Sequence, residues 1–95
     1  MSYSLEFKES ALKEWHKLDE GIKAQFKKKL AERLERPRVE SARLSGMADC
    51  YKIKLKNAGY LLGYQVNDDR MLVIVVAVGK WKHLTVYREA SKRLK

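Results

Sequence analysis

Cys50-Tyr51-Lys52-Ile53-Lys54-Leu55-Lys56 alternates residue by residue between side chains that pack and side chains that stay solvated. Successive side chains on a β-strand point to opposite faces, so Tyr51, Ile53 and Leu55 share one face while Lys52, Lys54 and Lys56 share the other. Neighbouring lysines in such a row stand roughly 7 Å apart, close to the phosphate repeat of an extended nucleic-acid strand, and they repel one another unless an anion lies across them. RNA is a candidate for that anion. The same alternation also serves a plain half-buried strand with a solvated face, or an edge strand whose lysines discourage aggregation.

Working outward from this strand, Asn57-Ala58-Gly59 and Asn67-Asp68-Asp69 are hairpin-turn chemistry. They separate it from strands predicted over residues 60–67 and 71–79, so the three form an antiparallel meander. Parity sends Tyr60, Leu62, Tyr64 and Val66 inward beside Ile53 and Leu55, and sends Leu61, Gly63 and Gln65 outward with the lysines. Gly63 would leave room there for a ligand backbone. The run from residue 71 to 78 is apolar and β-branched, which marks its strand as central, and its eight residues are far too few to span a membrane.

Upstream, residues 3–7 alternate as a first strand, and Leu12, Trp15 and Leu18 fall on one face of a helix predicted over residues 11–18. Asp19-Glu20-Gly21 breaks the pattern before Ile22, Phe26, Leu30 and Leu34 resume it at i+4 spacing, with Lys23, Lys27, Lys28, Lys29 and Arg33 on the remaining surface. Pro37 ends this second helix, and residues 38–48 are predicted as a loop. Val86, Ala90 and Leu94 predict a terminal helix over residues 85–94. The expected fold is α+β, ordered β-α-α-β-β-β-α. A helical hairpin packs on one face of a small, mostly antiparallel sheet whose other face is partly open.

Ninety-five residues with 45% hydrophobic content suit a single domain over residues 1–95. The N-terminus has no signal-peptide pattern, and a cytoplasmic location is expected. One cysteine, Cys50, excludes an internal disulfide, and with His16 and His83 it offers no metal-ligand spacing, so neither metal nor cofactor is expected. A net charge of +9 and a sequence pI near 9.8 point to a polyanionic partner. The excess is uneven. Residues 1–40 hold ten Lys/Arg against eight Asp/Glu, whereas residues 41–95 hold eleven against four, so the sheet-forming half carries the field.

Gly79-Lys80-Trp81-Lys82-His83 follows the last strand, where cations and an aromatic ring can border the lysine face. Trp81 suits stacking on an unpaired base, or packing at a sheet-helix junction. His83 could exchange a proton near neutral pH, although a lone turn histidine is more often simply solvated. Lys56 and Gln65 are further candidates for RNA contact.

Together, Leu44-x-Gly46, Cys50-Tyr-Lys-Ile-Lys-Leu, Gly59-Tyr60-x-Leu62-x-Tyr64-Gln65-Val66, Val78-Gly79-Lys80 and Val86-Tyr87 resemble RelE-type toxins of the bacterial RelE/ParE toxin-antitoxin superfamily. The likeness extends over essentially the whole chain. It implies a microbial-RNase-like fold and a metal-independent endoribonuclease, an mRNA interferase that enters the ribosomal A site and cuts the codon there by attack of a ribose 2′-hydroxyl on the adjacent phosphate. It further implies Lys54 as the base, Lys52 as a phosphate stabiliser, and Tyr87 beside the substrate. A lysine base works best with a depressed pKa, which crowded ammonium groups favour. The implied partners are the ribosome and its mRNA, and a RelB-like antitoxin whose helix packs on the sheet, with DNA reached only through the antitoxin complex and no membrane association.

The chain departs from the family's best-known members at Leu61 and Trp81, where they carry arginine near the scissile phosphate. Lys80, Lys82 and His83 are the nearest substitutes for the second of these cations. A transition-state donor contributes on the order of 2 to 4 kcal/mol, so the departures imply reduced activity. The alternatives are a module that occupies RNA or the ribosome without cutting, and a ParE-type gyrase inhibitor, against which the Lys52/Lys54 pair argues.

Overall fold

The computed structural model describes residues 2–80. In chain order these form β1 (Ser4–Phe7), α1 (Glu9–His16), α2 (Glu20–Glu35), a short 3-10 turn (Glu40–Ala42), β2 (Cys50–Leu55), β3 (Tyr60–Asn67) and β4 (Leu72–Lys80). The predicted terminal helix lies outside the described residues. The four strands make one sheet in the order β1-β4-β3-β2. β2, β3 and β4 are the expected antiparallel meander, and β1 joins β4 in parallel, so β4 is internal as its composition predicts.

Ala11 and Trp15 face inward from α1, and Phe26 and Leu30 from α2. They pack on Tyr51, Ile53, Leu55, Leu62, Tyr64, Val66, Val73, Val75 and Val78 of the sheet, giving the main core. Trp15 lies between Phe7 and Phe26, with ring centroids 5.4 and 6.1 Å away. Gly21, expected in the break between the helices, lies in the first turn of α2, and the chain turns just before it with Asp19 at the N-cap. Beyond the end of β1, β4 loses its strand neighbour. There the Val78 N–H donates instead to Oε1 of Glu14 at 3.3 Å, which ties α1 to the sheet.

The predicted parity holds, but the second face is less open than expected. Leu61 is 1% exposed, and Gly63, Cys50, Val76 and Ala77 are buried on that face. Leu44, from the loop before β2, lies over Gly63, where an added Cβ would stand 3.7 Å from Leu44 Cδ1 and 3.8 Å from Val76 Cγ2. The space foreseen at Gly63 for a ligand is therefore taken by this small second core. The register shifts between Gly63 and Tyr64, which pair with Ala77 and Val75, so Val76 is an extra residue accommodated by a bulge.

The loop over residues 38–48 is tied down by contacts that periodicity does not reveal. Arg38 donates to Asp68 Oδ2 at 2.7 Å from Nη2 and 3.1 Å from Nε, and Nη1 reaches Asp49 Oδ1 at 3.0 Å and the Tyr51 hydroxyl at 3.3 Å. Tyr3 adds a bond from its hydroxyl to Asp68 Oδ1 at 2.6 Å. The Asp68 carboxyl is held below its ordinary pKa first by the Tyr3 hydroxyl and then by Arg38, and the same carboxylate raises Arg38 and Tyr3. Arg43 bridges to Tyr51, and the Leu44 N–H donates to the Cys50 carbonyl at 2.9 Å.

Candidate functional site

On the second face of the sheet, β2 carries Lys52 and Lys54. Lys54 is exposed and stands opposite Leu61, and Lys52 is half-buried opposite Gly63. Lys56 is exposed but falls just beyond the end of β2, in the turn, so the strand itself presents two of the three expected lysines. Gln65 is half-buried and pairs with Cys50. At four residues from the level of Lys54, that is roughly 13 Å along the strand, it is too far away to share one phosphate with Lys54.

Charge is polarised along the sheet. Asp49, Asp68 and Asp69 gather with Arg38 at the end where β2 begins and β3 ends. Lys54, Lys56 and Lys80 lie toward the other end, around the 56–59 turn and the finish of β4. An anionic strand is repelled by the first end and attracted by the second. Register pairs Lys80 with Tyr60, one residue out of phase with Gly79 and Leu61, so its backbone position belongs to the helix-covered face at the sheet's margin. Trp81, Lys82, His83 and Tyr87 lie outside the described residues.

Cys50 is fully buried at the head of the same row. Burial and then the neighbouring Asp49 push its thiol up to about 11, which suits a packed apolar group and not a nucleophile. Among the described residues, no three His, Cys, Asp or Glu side chains are grouped to hold a metal ion.

Arg33, expected on the solvated surface of α2, instead turns to the outer edge of β2. Its Nη1 donates to the Lys52 carbonyl at 2.9 Å and to the Tyr64 hydroxyl at 2.8 Å. That hydroxyl in turn donates to the Pro37 carbonyl at 2.6 Å, and the Tyr64 ring stacks on Tyr51 at 5.8 Å. Burial raises the Tyr64 phenol, and the Arg33 cation opposes the rise. The available sequence signal was faint: Arg33 adjoins Leu34 on the flank of the apolar stripe, where a long side chain can lie along a core and place its head at the rim.

With this arrangement established, comparison with known proteins gives a consistent set of matches. Residues 5–84 match the family model described as the ParE toxin of the parDE type II toxin-antitoxin system. The chain is 54% identical over 94 residues to a protein named mRNA interferase toxin RelE from Escherichia coli strain K12, covering 99% of both chains. In three dimensions it resembles a free-state arginine-to-alanine double mutant of the E. coli toxin RelE, with a TM-score of 0.93, 54% identity and full coverage of both chains. It also resembles a chain of the intact E. coli RelBE toxin-antitoxin complex, with a TM-score of 0.82 and 56% identity over 83% of this chain and 96% of that one.

Proposed function

The chain belongs to the ParE toxin family of type II toxin-antitoxin systems, and from that premise we propose that it is a RelE-like toxin, a ribosome-dependent endoribonuclease that cuts mRNA in the A site. The observation that carries this reading is the pair Lys52 and Lys54 on the outward side of β2, in a chain 54% identical to a named mRNA interferase. That pair favours RNA cleavage over the gyrase inhibition of the ParE branch. Inhibition of DNA supercoiling by the purified protein would reverse the choice.

Cleavage by a ribose 2′-hydroxyl needs three services: a base for the hydroxyl proton, cations for the pentacovalent phosphorane, and an acid or cation for the departing 5′-oxygen. In the proposed scheme Lys54, exposed beyond its neighbours, takes the proton, and Lys52 holds a non-bridging phosphate oxygen. Tyr87 packs beside the substrate, and Trp81, Lys56 and Gln65 contact the RNA on either side. The leaving oxygen is served by Lys82 or His83 in preference to Lys80, whose register is out of phase with the lysine row. The buried Leu61 supplies no charge, and this supports a modest rate. Such chemistry requires no metal or cofactor.

Action on translating ribosomes puts this toxin in the cytoplasm, and no helix among the described residues is long and apolar enough to cross a membrane. A +9 chain calls for a partner with an acidic segment, and the E. coli RelBE complex supports a RelB-like antitoxin in that role, with DNA contacted through the antitoxin. The test is to map mRNA ends on translating ribosomes with purified protein. Cuts within the A-site codon, lost in Lys52→Ala plus Lys54→Ala, are expected. Ribosome binding without cuts would leave a binding module on the same face.

A further inference from the structure

We infer that Arg33 is a positioning residue for the lysine strand: from α2 it fixes the backbone of β2 at Lys52 and so sets where the Lys52 side chain stands beside Lys54. This rests on the reading of those lysines as the RNA-cutting pair.

Carbonyls two residues apart on a strand point the same way. The Cys50 carbonyl is taken by the Leu44 N–H, and the Lys52 carbonyl by Arg33 Nη1 at 2.9 Å. Both acceptors thus lie on the edge of β2 turned away from β3. β2 has a strand neighbour on one side only, since β3 flanks it and the sheet order ends there. An edge strand held from one side is free to twist and shift, and its unpaired carbonyls invite foreign strands. Here the loop residue Leu44 secures the first carbonyl and a helix-borne guanidinium secures the second, at the very residue whose side chain faces the candidate substrate.

Arg33 suits this task for three reasons. It lies in the last turn of α2, where a cation meets the negative end of the helix dipole. One nitrogen bonds two acceptors, so the Lys52 carbonyl is tied to the Tyr64 hydroxyl, and through it to Pro37 where the chain leaves α2. Among the described residues, Arg33 forms no ion pair with a carboxylate, so its geometry answers to these acceptors. A planar guanidinium holds such a geometry with less loss of freedom than a lysine.

The test combines single-turnover cleavage of a defined mRNA on programmed ribosomes with amide hydrogen exchange on the purified full chain. Arg33→Met keeps the apolar stem and removes the donor. Its cleavage rate at saturating ribosomes should fall on the order of 10- to 100-fold, as misplacing a catalytic group by about 1 Å does. The ribosome concentration giving half the maximal rate should stay within about twofold, because the lysine charges remain. The decisive measurement is the same substitution in a Lys52→Ala background, where the loss should shrink below about threefold, since residues acting as one unit are not additive. A merely structural arginine would give the same loss in both backgrounds, and that result overturns the inference.

Exchange separates this inference from the functional reading on which it rests. Arg33→Met should speed exchange in β2 and leave the β1–β4 pairing unchanged, whether or not the wild type cuts RNA. A wild type that does not cleave defeats the proposed function alone, while unchanged β2 exchange defeats the role of Arg33. Should Arg33→Met fail to fold, Arg33→Lys, whose ammonium is shorter and lacks the fork, is expected to show the same pattern at smaller amplitude, and wild-type behaviour in that variant overturns the proposal.

Discussion

The two faces of the sheet are made by the same strands, yet one is filled by two helices and the other by a handful of small residues flanked by lysines. Under α1 and α2 the strands present Tyr51, Ile53, Leu62, Tyr64 and four valines to Trp15, Phe26 and Leu30. On the far side, Cys50, Leu61, Gly63, Val76 and Ala77 form a thin buried patch beneath Leu44, and Lys52 and Lys54 rise at its border. The first face contributes most of the apolar burial, and this leaves the second free to hold like charges side by side at a small cost in stability. In β2 the division is drawn between adjacent residues, so neighbouring substitutions should have effects of different kinds.

The largest expected effect falls on the lysine face and leaves the fold alone. Lys52→Ala plus Lys54→Ala should slow A-site cleavage on the order of a thousandfold or more, as loss of transition-state cations does, and should flatten the salt dependence of ribosome binding. Stability should change by less than about 0.5 kcal/mol, as is usual for surface positions. Single-turnover kinetics beside a denaturant melt measures both, and a double mutant that unfolds would erase the contrast between the faces.

One residue along the strand, the opposite pattern is expected. Ile53 is 0% exposed, and Ile53→Ala should cost about 2 to 5 kcal/mol in a urea melt through the cavity it leaves. The fraction that stays folded should cut at the wild-type rate. A rate loss in that fraction would mean that the helix-covered face tunes the chemistry directly.

Leu61→Arg probes the patch between the two regimes. Because Leu61 is 1% exposed, arginine must displace its neighbours to reach water, so a loss of about 1 to 3 kcal/mol is expected. The new cation opposite Lys54 should at the same time raise the cleavage rate. Equal stability with no gain in rate would show that the patch yields without bringing charge to the phosphate.

The smallest effect concerns Cys50. Its thiol is raised to about 11 from an ordinary 9, so above pH 9 the unfolded chain releases this proton more readily than the folded one. The stability it contributes is therefore complete below pH 9 and is lost as pH climbs toward 11, by roughly 1 kcal/mol at pH 10. Urea melts of wild type and Cys50→Ala across that range should diverge by this amount. Rapid alkylation of the folded protein at pH 8 would instead mean that the patch opens.

How much of this was legible in the sequence follows from the range of each interaction. The alternation in β2, the i+4 stripe of α2 and the turn at Asn57-Ala58-Gly59 are local patterns, and they led to the helical hairpin and the meander. Parity gave the direction of Leu61 and Gly63 correctly but not their cover, because Leu44 reaches Gly63 from a separate loop. Arg38 joins Asp68 thirty residues away, and Arg33 joins the Lys52 backbone nineteen away, and no periodicity encodes such pairs. The lysine pair was readable because a charge alternating with core residues has one direction to go. Arg33 was missed because it sits on a helix where Lys27, Lys28 and Lys29 are solvated.

The parallel pairing of β1 with β4 bears on the order in which this protein comes into being. Ser4 stands beside Leu72 and Phe7 beside Val75, so the first strand synthesised must wait for a neighbour 68 positions later. Closing so long a loop is slow compared with forming the helical hairpin or the meander, both of which are local. Until residues 72–75 have been made, β1 has no strand to dock on and Trp15 has only part of its shelter. The sheet therefore closes last along its parallel seam, after both helices and the first hairpin of the meander are available to it.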